Sequence, residues 1–214
     1  MINNQQENFW KGDFGKEYTE RNNFSQEEWD NVYKKTWGVT KIQMNEKAIG
    51  ELPRDIKILE VGCNIGMQLL GLQRMGFKNL YGIELQAYAV EKAKKNTLGI
   101  NIIQGSGFDI PFKNSYFDLV CTNGVLIHIA QKNLKSIMSE IVRCSNKYIM
   151  GFEYYNDKVK EINYRGNKGF LWKGDYEKMY RDYFPELKSV NQTLYPYVIE
   201  VNKGNTDSVF LLAK

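Results

Sequence analysis

The sequence predicts an open α/β fold: a mainly parallel sheet with helices on both faces, finished by an antiparallel hairpin. Three observations predict it. Short apolar runs alternate with helix-like segments from residue 56 to residue 152, the pattern of strands that return through helical crossovers. A glycine-containing turn, Gly62-Cys63-Asn64-Ile65-Gly66, joins the first of these strands to its helix. Near the C-terminus two apolar runs, 197–201 and 208–212, flank the turn-forming stretch 202–207, which is a hairpin signal.

In chain order, residues 1–50 read as helices that cover a core. Ser25 with Glu28 makes a capping-box pattern ahead of Trp29, Val32, Tyr33 and Trp37, and Gly38 stops that helix. A second helix is expected over 40–49, ended by Gly50 and Pro53. Strands are then expected at 56–61, 80–84, 100–104, 117–122 and 147–152, with helices at 66–75, 87–98 and 131–144. The 214 residues suit one domain. Within it, 1–50 is the helical cover, 56–152 a ligand-binding core, 153–190 an insertion on the substrate side and 191–214 the hairpin.

Composition narrows the function classes. The net charge is only +4 and the lysines are spread along the chain, as at Lys92, Lys94 and Lys95. This favours solvated helix faces over a nucleic-acid groove. Cys63, Cys121 and Cys144 form no CxxC pair and the chain has a single histidine, so neither a disulfide frame nor a metal site is expected. The polar start, residues 1–7, lacks a hydrophobic signal segment, and no apolar run reaches membrane-span length; a cytoplasmic protein without membrane contact is the expectation. Fourteen Tyr and four Trp offer flat faces for rings and sugars as well as core filling.

The chemistry centres on Glu60-Val61-Gly62-Cys63-Asn64-Ile65-Gly66-Met67. Gly62 permits a sharp turn and close backbone approach, and Gly66 opens a helix whose amides can face an anion. A dinucleotide fingerprint requires glycine at positions 64 and 67, where Asn64 and Met67 stand. Glu84, about 20 residues past the turn with Leu85 after it, is placed to accept hydrogen bonds from ribose hydroxyls. His128 is a candidate general base, since its ordinary pKa lies near neutrality, and Glu153 is a second candidate.

The turn resembles the first motif of class I S-adenosylmethionine-dependent methyltransferases, with Asn64 in place of the middle glycine. The resemblance implies a Rossmann-like, seven-stranded methyltransferase sheet that ends in an antiparallel hairpin. It also implies S-adenosylmethionine as cofactor, its methionine part at Glu60, Gly62, Cys63, Asn64, Gly66 and Met67. Gly105-Ser106-Gly107 falls where many such enzymes have Gly-Asp-Ala segments, and Ser106 replaces the aspartate that holds the adenine amino group. Gly107 and Phe108 are then expected at the adenine ring, and Asn123 and Gly124 near the reacting centre. Tyr18 and Arg21 are candidates for closing over the cofactor, with Arg21 pairing its carboxylate.

More narrowly, residues 9–22, the Asn-containing turn, Asn123-Gly124-Val125-Leu126-Ile127-His128-Ile129, Glu153-Tyr154-Tyr155, Tyr164-Arg165-Gly166 and Leu171-Trp172-Lys173-Gly174-Asp175 resemble the pseudaminic acid biosynthesis-associated methylases. This implies methylation of a small-molecule acceptor, a nonulosonic-type sugar or its nucleotide-linked form. Tyr154, Tyr155 and Trp172 would then stack on the sugar, and Arg165 and Lys173 pair a carboxylate or phosphate. The alternatives are a non-catalytic cofactor-binding protein, or a methyltransferase of nucleic acid or protein. The latter lacks both a basic groove and an Asn-Pro-Pro-Tyr motif.

Overall fold

The computed structural model describes residues 5–214; residues 1–4 of the polar N-terminal stretch lie outside the described residues. Four helices come first: α1 (Gln5–Lys11), α2 (Asp13–Arg21), α3 (Gln26–Trp37) and α4 (Lys41–Ile49). Ser25 and Thr40 close capping boxes with Glu28 and Gln43, and Gly38 ends α3 in the left-handed conformation. These side chains supply the partners that the first amides of a helix lack.

The alternating region follows as β1 (Lys57–Val61), α5 (Met67–Arg74), β2 (Asn79–Glu84), α6 (Ala87–Asn96), β3 (Asn101–Gln104), β4 (Phe117–Asn123), α7 (Gln131–Cys144) and β5 (Ser145–Tyr154). A two-stranded ribbon, β6 (Lys160–Glu161) with β7 (Trp172–Lys173), and helix α8 (Tyr176–Tyr183) occupy the insertion. The chain ends in β8 (Lys188–Pro196) and β9 (Thr206–Ala213).

The main sheet has seven strands in the order β3-β2-β1-β4-β5-β9-β8. Strands β1 to β5 pair in parallel and β9 runs antiparallel between β5 and β8. Side chains alternate between two cores, as strand geometry requires. Leu59, Val61, Val120, Phe210 and Leu212 join the core under α7 and α8. Ile58, Leu119, Cys121, Val209 and Leu211 join the core under α3 to α6. In α7 the buried Leu134, Ile137, Met138, Ile141 and Val142 make one helical stripe.

The hairpin expectation needs correction. Its first strand is β8, Lys188–Pro196, whereas residues 197–201 form a loop and a 3-10 turn. Val198 and Val201 are exposed there. β8 is an edge strand with no fully buried residue, and its apolar Val190 and Leu194 are exposed, so it lacks the alternation of a half-buried strand. The expected helix over 87–98 stops at Asn96, because Thr97 turns extended and its hydroxyl donates to the Ala93 carbonyl (2.8 Å). Among the described residues no helix is long and apolar enough to cross a membrane.

Candidate active site

The C-terminal ends of β1, β2, β3 and β4 open onto one cavity, the usual ligand position in open α/β sheets. Gly62 turns at φ +75°, and a Cβ there would lie 2.6 Å from Val125 Cγ2, so the position requires glycine. Asn64 also adopts positive φ, +44°. Asparagine tolerates that region better than most side chains, which accounts for its presence where related turns have glycine. The turn is fixed to β2: the Gly62 and Cys63 amides donate to the Ile83 carbonyl (2.8 and 3.1 Å) and the Asn64 amide donates to Glu84 Oε2 (2.9 Å). Glu84 Oε1 accepts the Gln86 amide (2.8 Å), and burial raises the Glu84 pKa against these bonds.

Glu60 is buried on the cavity wall, and its Oε2 has no hydrogen-bond partner. Burial pushes its pKa up, and the nearby Lys41 ammonium opposes the shift. Lys41 is itself buried; its Nζ donates to Asn123 Oδ1 (3.0 Å) and lies 3.7 Å from the centre of the Phe152 ring. Burial pushes Lys41 down, opposed by Glu60. Two further buried groups on the same cavity, Trp10 Nε1 and Trp29 Nε1, are donors without partners. Buried polar groups are rarely left unpaired. An acceptor and two donors left open on one cavity fit a ligand that carries both an amine and a carboxylate.

The roof comes from the N-terminal helices. Gln6, Glu7, Trp10, Gly15, Tyr18, Thr19 and Asn22 face the cavity. Trp10 packs edge-on against His128 (4.6 Å between ring centres) and Tyr18 (5.2 Å), and Phe9 stacks on Phe170 (4.0 Å). The Thr19 hydroxyl lies 3.0 Å from Asn64 Oδ1, joining roof to turn. Burial raises the Tyr18 phenol.

His128 lies on the cavity wall in a 3-10 turn, Leu126–His128. Its Nδ1 is 2.7 Å from the Phe170 carbonyl. A carbonyl only accepts, so Nδ1 carries the proton and Nε2 the lone pair. Burial lowers its pKa to about 4. The ring therefore accepts a hydrogen bond well but takes up a proton poorly at neutral pH.

Of the residues expected from sequence, Tyr18, Glu60, Gly62, Cys63, Asn64, Met67, Glu84, Leu85, Gly107, Phe108, Asn123, Gly124 and His128 line this cavity. Gly66 opens α5 behind the turn, and Ser106 sits behind the wall, hydrogen-bonded to Glu7. The remaining candidates lie elsewhere. Arg21 pairs Glu17 (3.5 Å) and lies over Phe14, away from the cavity wall. Glu153 is buried beneath the loop after β4, and its carboxylate accepts the Val125 and Ile127 amides (3.3 Å each). It braces the segment that carries His128 and does not face the cavity; burial raises its pKa to about 7.

The expected sugar platform is not on this cavity either. Trp172 is a buried residue of the ribbon itself, Tyr155 is half-buried and Arg165 is exposed in a turn at φ +51°. Lys173 Nζ donates to Asn205 Oδ1 and lies over Tyr154 (5.7 Å). Sequence reasoning missed Glu7, Trp10, Thr19, Trp29 and Lys41. Residues 9–22 stand out as a signature, but nothing local shows which of its side chains turn inward.

Comparison with known proteins bears on this cavity. The sequence model of a methyltransferase domain family, described as "Methyltransferase domain", matches residues 59–147, the segment that supplies most of the cavity floor. An uncharacterized methyltransferase of Oceanobacillus iheyensis is 26% identical over 164 residues, covering 73% of this chain and 76% of that protein. An uncharacterized Haemophilus influenzae protein is 28% identical over 102 residues, 45% of this chain, and the match spans only 41% of its length. The SAM-dependent methyltransferase structure from Methanosarcina mazei superposes with a TM-score of 0.63 at 16% identity, covering 82% of this chain and 98% of that one.

Residues 59–147 thus resemble a methyltransferase domain, and the fold is shared with a solved S-adenosylmethionine-dependent methyltransferase. The unpaired Glu60 and tryptophan groups fit the amino-acid end of S-adenosylmethionine. The methyltransferase sheet has the expected seven-stranded, mostly parallel form.

Proposed function

We propose that the protein transfers a methyl group from S-adenosylmethionine to a small soluble acceptor, and that the acceptor is a sugar of the nonulosonic type or its nucleotide-linked form. The observation that carries the first part is the unpaired triad Glu60 Oε2, Trp10 Nε1 and Trp29 Nε1 on a roofed cavity. The roof of α1 and α2 supports a small acceptor over a macromolecule, because a duplex or folded protein needs an open groove. The sugar reading draws its support from the flanking segments that resemble the pseudaminic acid-associated methylases.

Bound S-adenosylmethionine supplies a methyl carbon activated by its sulfonium. Glu60 would hold the cofactor's amine, Glu84 its ribose hydroxyls, and Gly107 with Phe108 its base. The protein's own contribution is alignment and exclusion of water. Trp10, closed against His128, shields the reaction end from solvent. His128 Nε2 would accept the hydrogen bond of an acceptor hydroxyl and so aim its oxygen. With its pKa lowered to about 4, it orients the nucleophile better than it removes a proton. Lys41 and Asn123 fix the end of β4 beneath this point.

The test is incubation with S-adenosylmethionine and a panel of free and nucleotide-linked acidic sugars, followed by mass spectrometry. One added methylene on a sugar, with equal S-adenosylhomocysteine, is expected. Cofactor binding without product on any small molecule would favour the non-catalytic reading.

A further inference from the structure

Ser106, which stands where the resembled enzymes carry an aspartate, has little capacity left for a ligand. Its hydroxyl donates to Glu7 Oε1 and accepts the Phe108 amide (3.0 Å). A hydroxyl has one proton and two lone pairs, so both its donor and one acceptor position are taken. Glu7 comes from 99 residues earlier in the chain. It lines the cavity beside Gly105, Gly107 and Phe108, and a carboxylate has acceptor positions beyond the one that Ser106 fills.

The helix that carries Glu7 is held in place on two sides. Gln86 Nε2 lies 3.3, 2.8 and 3.0 Å from the Trp10, Lys11 and Gly12 carbonyls, capping the C-terminal end of α1. Gln6 Nε2 donates to the Gly169 carbonyl (3.1 Å). Gln86 follows Glu84 by two residues, so the segment bearing the candidate ribose carboxylate also positions the helix bearing Glu7.

We propose that Glu7, oriented by Ser106, reads the cofactor's base by accepting the exocyclic amino group of adenine, the contact made by an aspartate in the resembled enzymes. The inference rests on the reading of the cavity as an S-adenosylmethionine site. The carboxylate has moved from the strand-end loop to the roof helix, so recognition of the base and closure of α1 become one event.

The experiment is calorimetric titration of the full chain with S-adenosylhomocysteine and with S-inosylhomocysteine, which has an oxo group in place of the adenine amine and a proton on the neighbouring N1. Wild-type protein should prefer the amino ligand by about tenfold to hundredfold, the range for a hydrogen bond to a charged group. Glu7→Gln offers a donor to the oxo group and should bring the ratio to within about threefold. Adding Ser106→Asp to Glu7→Gln should restore the preference. A ratio unchanged by Glu7→Gln, whatever the affinities themselves do, would show that Glu7 only props the helix, and the proposal falls. Failure of wild-type protein to bind S-adenosylhomocysteine would instead bring down the reading of the cavity, and the Glu7 assignment with it.

Discussion

The floor and the roof of the cavity are built by different physics. The floor is backbone: Gly62, Cys63 and Asn64 are tied by main-chain bonds to β2 and Glu84, and every floor segment sits at the end of a parallel strand. The roof is side chain: Phe9 and Trp10 reach from α1 to rings more than 100 residues away, at Phe170 and His128, and Tyr18 of α2 packs edge-on against Trp10. A floor of this kind is rigid and independent of the acceptor. On the proposed reading, acceptor choice and water exclusion would fall to the roof of aromatic contacts.

The sharpest way to break the floor is Gly62→Val. A β-branched side chain at φ +75° is strained by about 1–2 kcal/mol and its Cβ would lie 2.6 Å from Val125 Cγ2. S-adenosylhomocysteine affinity should fall by more than about a hundredfold, since the floor must move; calorimetry checks this. The roof should fail differently. Trp10→Ala opens the reaction end while leaving the floor bonds intact, so turnover should drop about a hundredfold, the cost of lost alignment, and cofactor affinity about tenfold or less. Equal losses in both would erase the distinction between the two regions.

A third prediction concerns pH. The His128 pKa is lowered to about 4 by burial, below its ordinary 6.5. The unfolded chain therefore binds the proton first as pH falls. The stability associated with neutral His128 is complete above about pH 6.5 and is lost progressively toward pH 4, by about 3 kcal/mol in all. His128→Asn should remove that part of the acid slope in denaturant titrations. It should also lower turnover on a hydroxyl acceptor by only about tenfold, because an oriented hydrogen bond and not a full base is lost. A drop of several thousandfold would restore the general-base role.

Glu60 gives the opposite slope. Its pKa is raised by burial, so its contribution is complete below the ordinary carboxylate value and fades as pH rises through the raised one. Glu60→Gln should flatten the ligand-free melting curve above neutrality and abolish proton release on cofactor binding, read by calorimetry in two buffers. The smallest effect is expected at Arg21. Its pair with Glu17 is largely exposed, and such pairs contribute about 0–1 kcal/mol. Arg21→Ala should leave cofactor affinity within about twofold.

The same contrast explains what the sequence disclosed. The alternation from residue 57 to residue 154 is local, and a turn that needs positive φ at Gly62, Asn64 and Gly66 announces itself in composition. The roof depends on long-range packing, so Trp10 was visible only as a member of a signature, and Glu7 not at all. Nothing local distinguishes Lys41 from any other helix lysine; only the fold shows it buried against Phe152. Trp172 misled for the converse reason: an aromatic ring in an insertion is as well used to pack a ribbon as to stack on a sugar. β8 escaped because its residues satisfy a ladder with β9 while leaving one side to water, whereas the apolar Val198 and Val201 beyond Pro196 lie exposed in a loop.

The central claim, that this cavity takes S-adenosylmethionine, is tested most directly by thermal unfolding of the purified chain with S-adenosylhomocysteine and, separately, with NADH. At 100 times its dissociation constant a ligand adds about 2.7 kcal/mol of stability. Tm should rise clearly with S-adenosylhomocysteine and stay unchanged with NADH. A rise with NADH alone would contradict it and turn the glycine turn into a nicotinamide site.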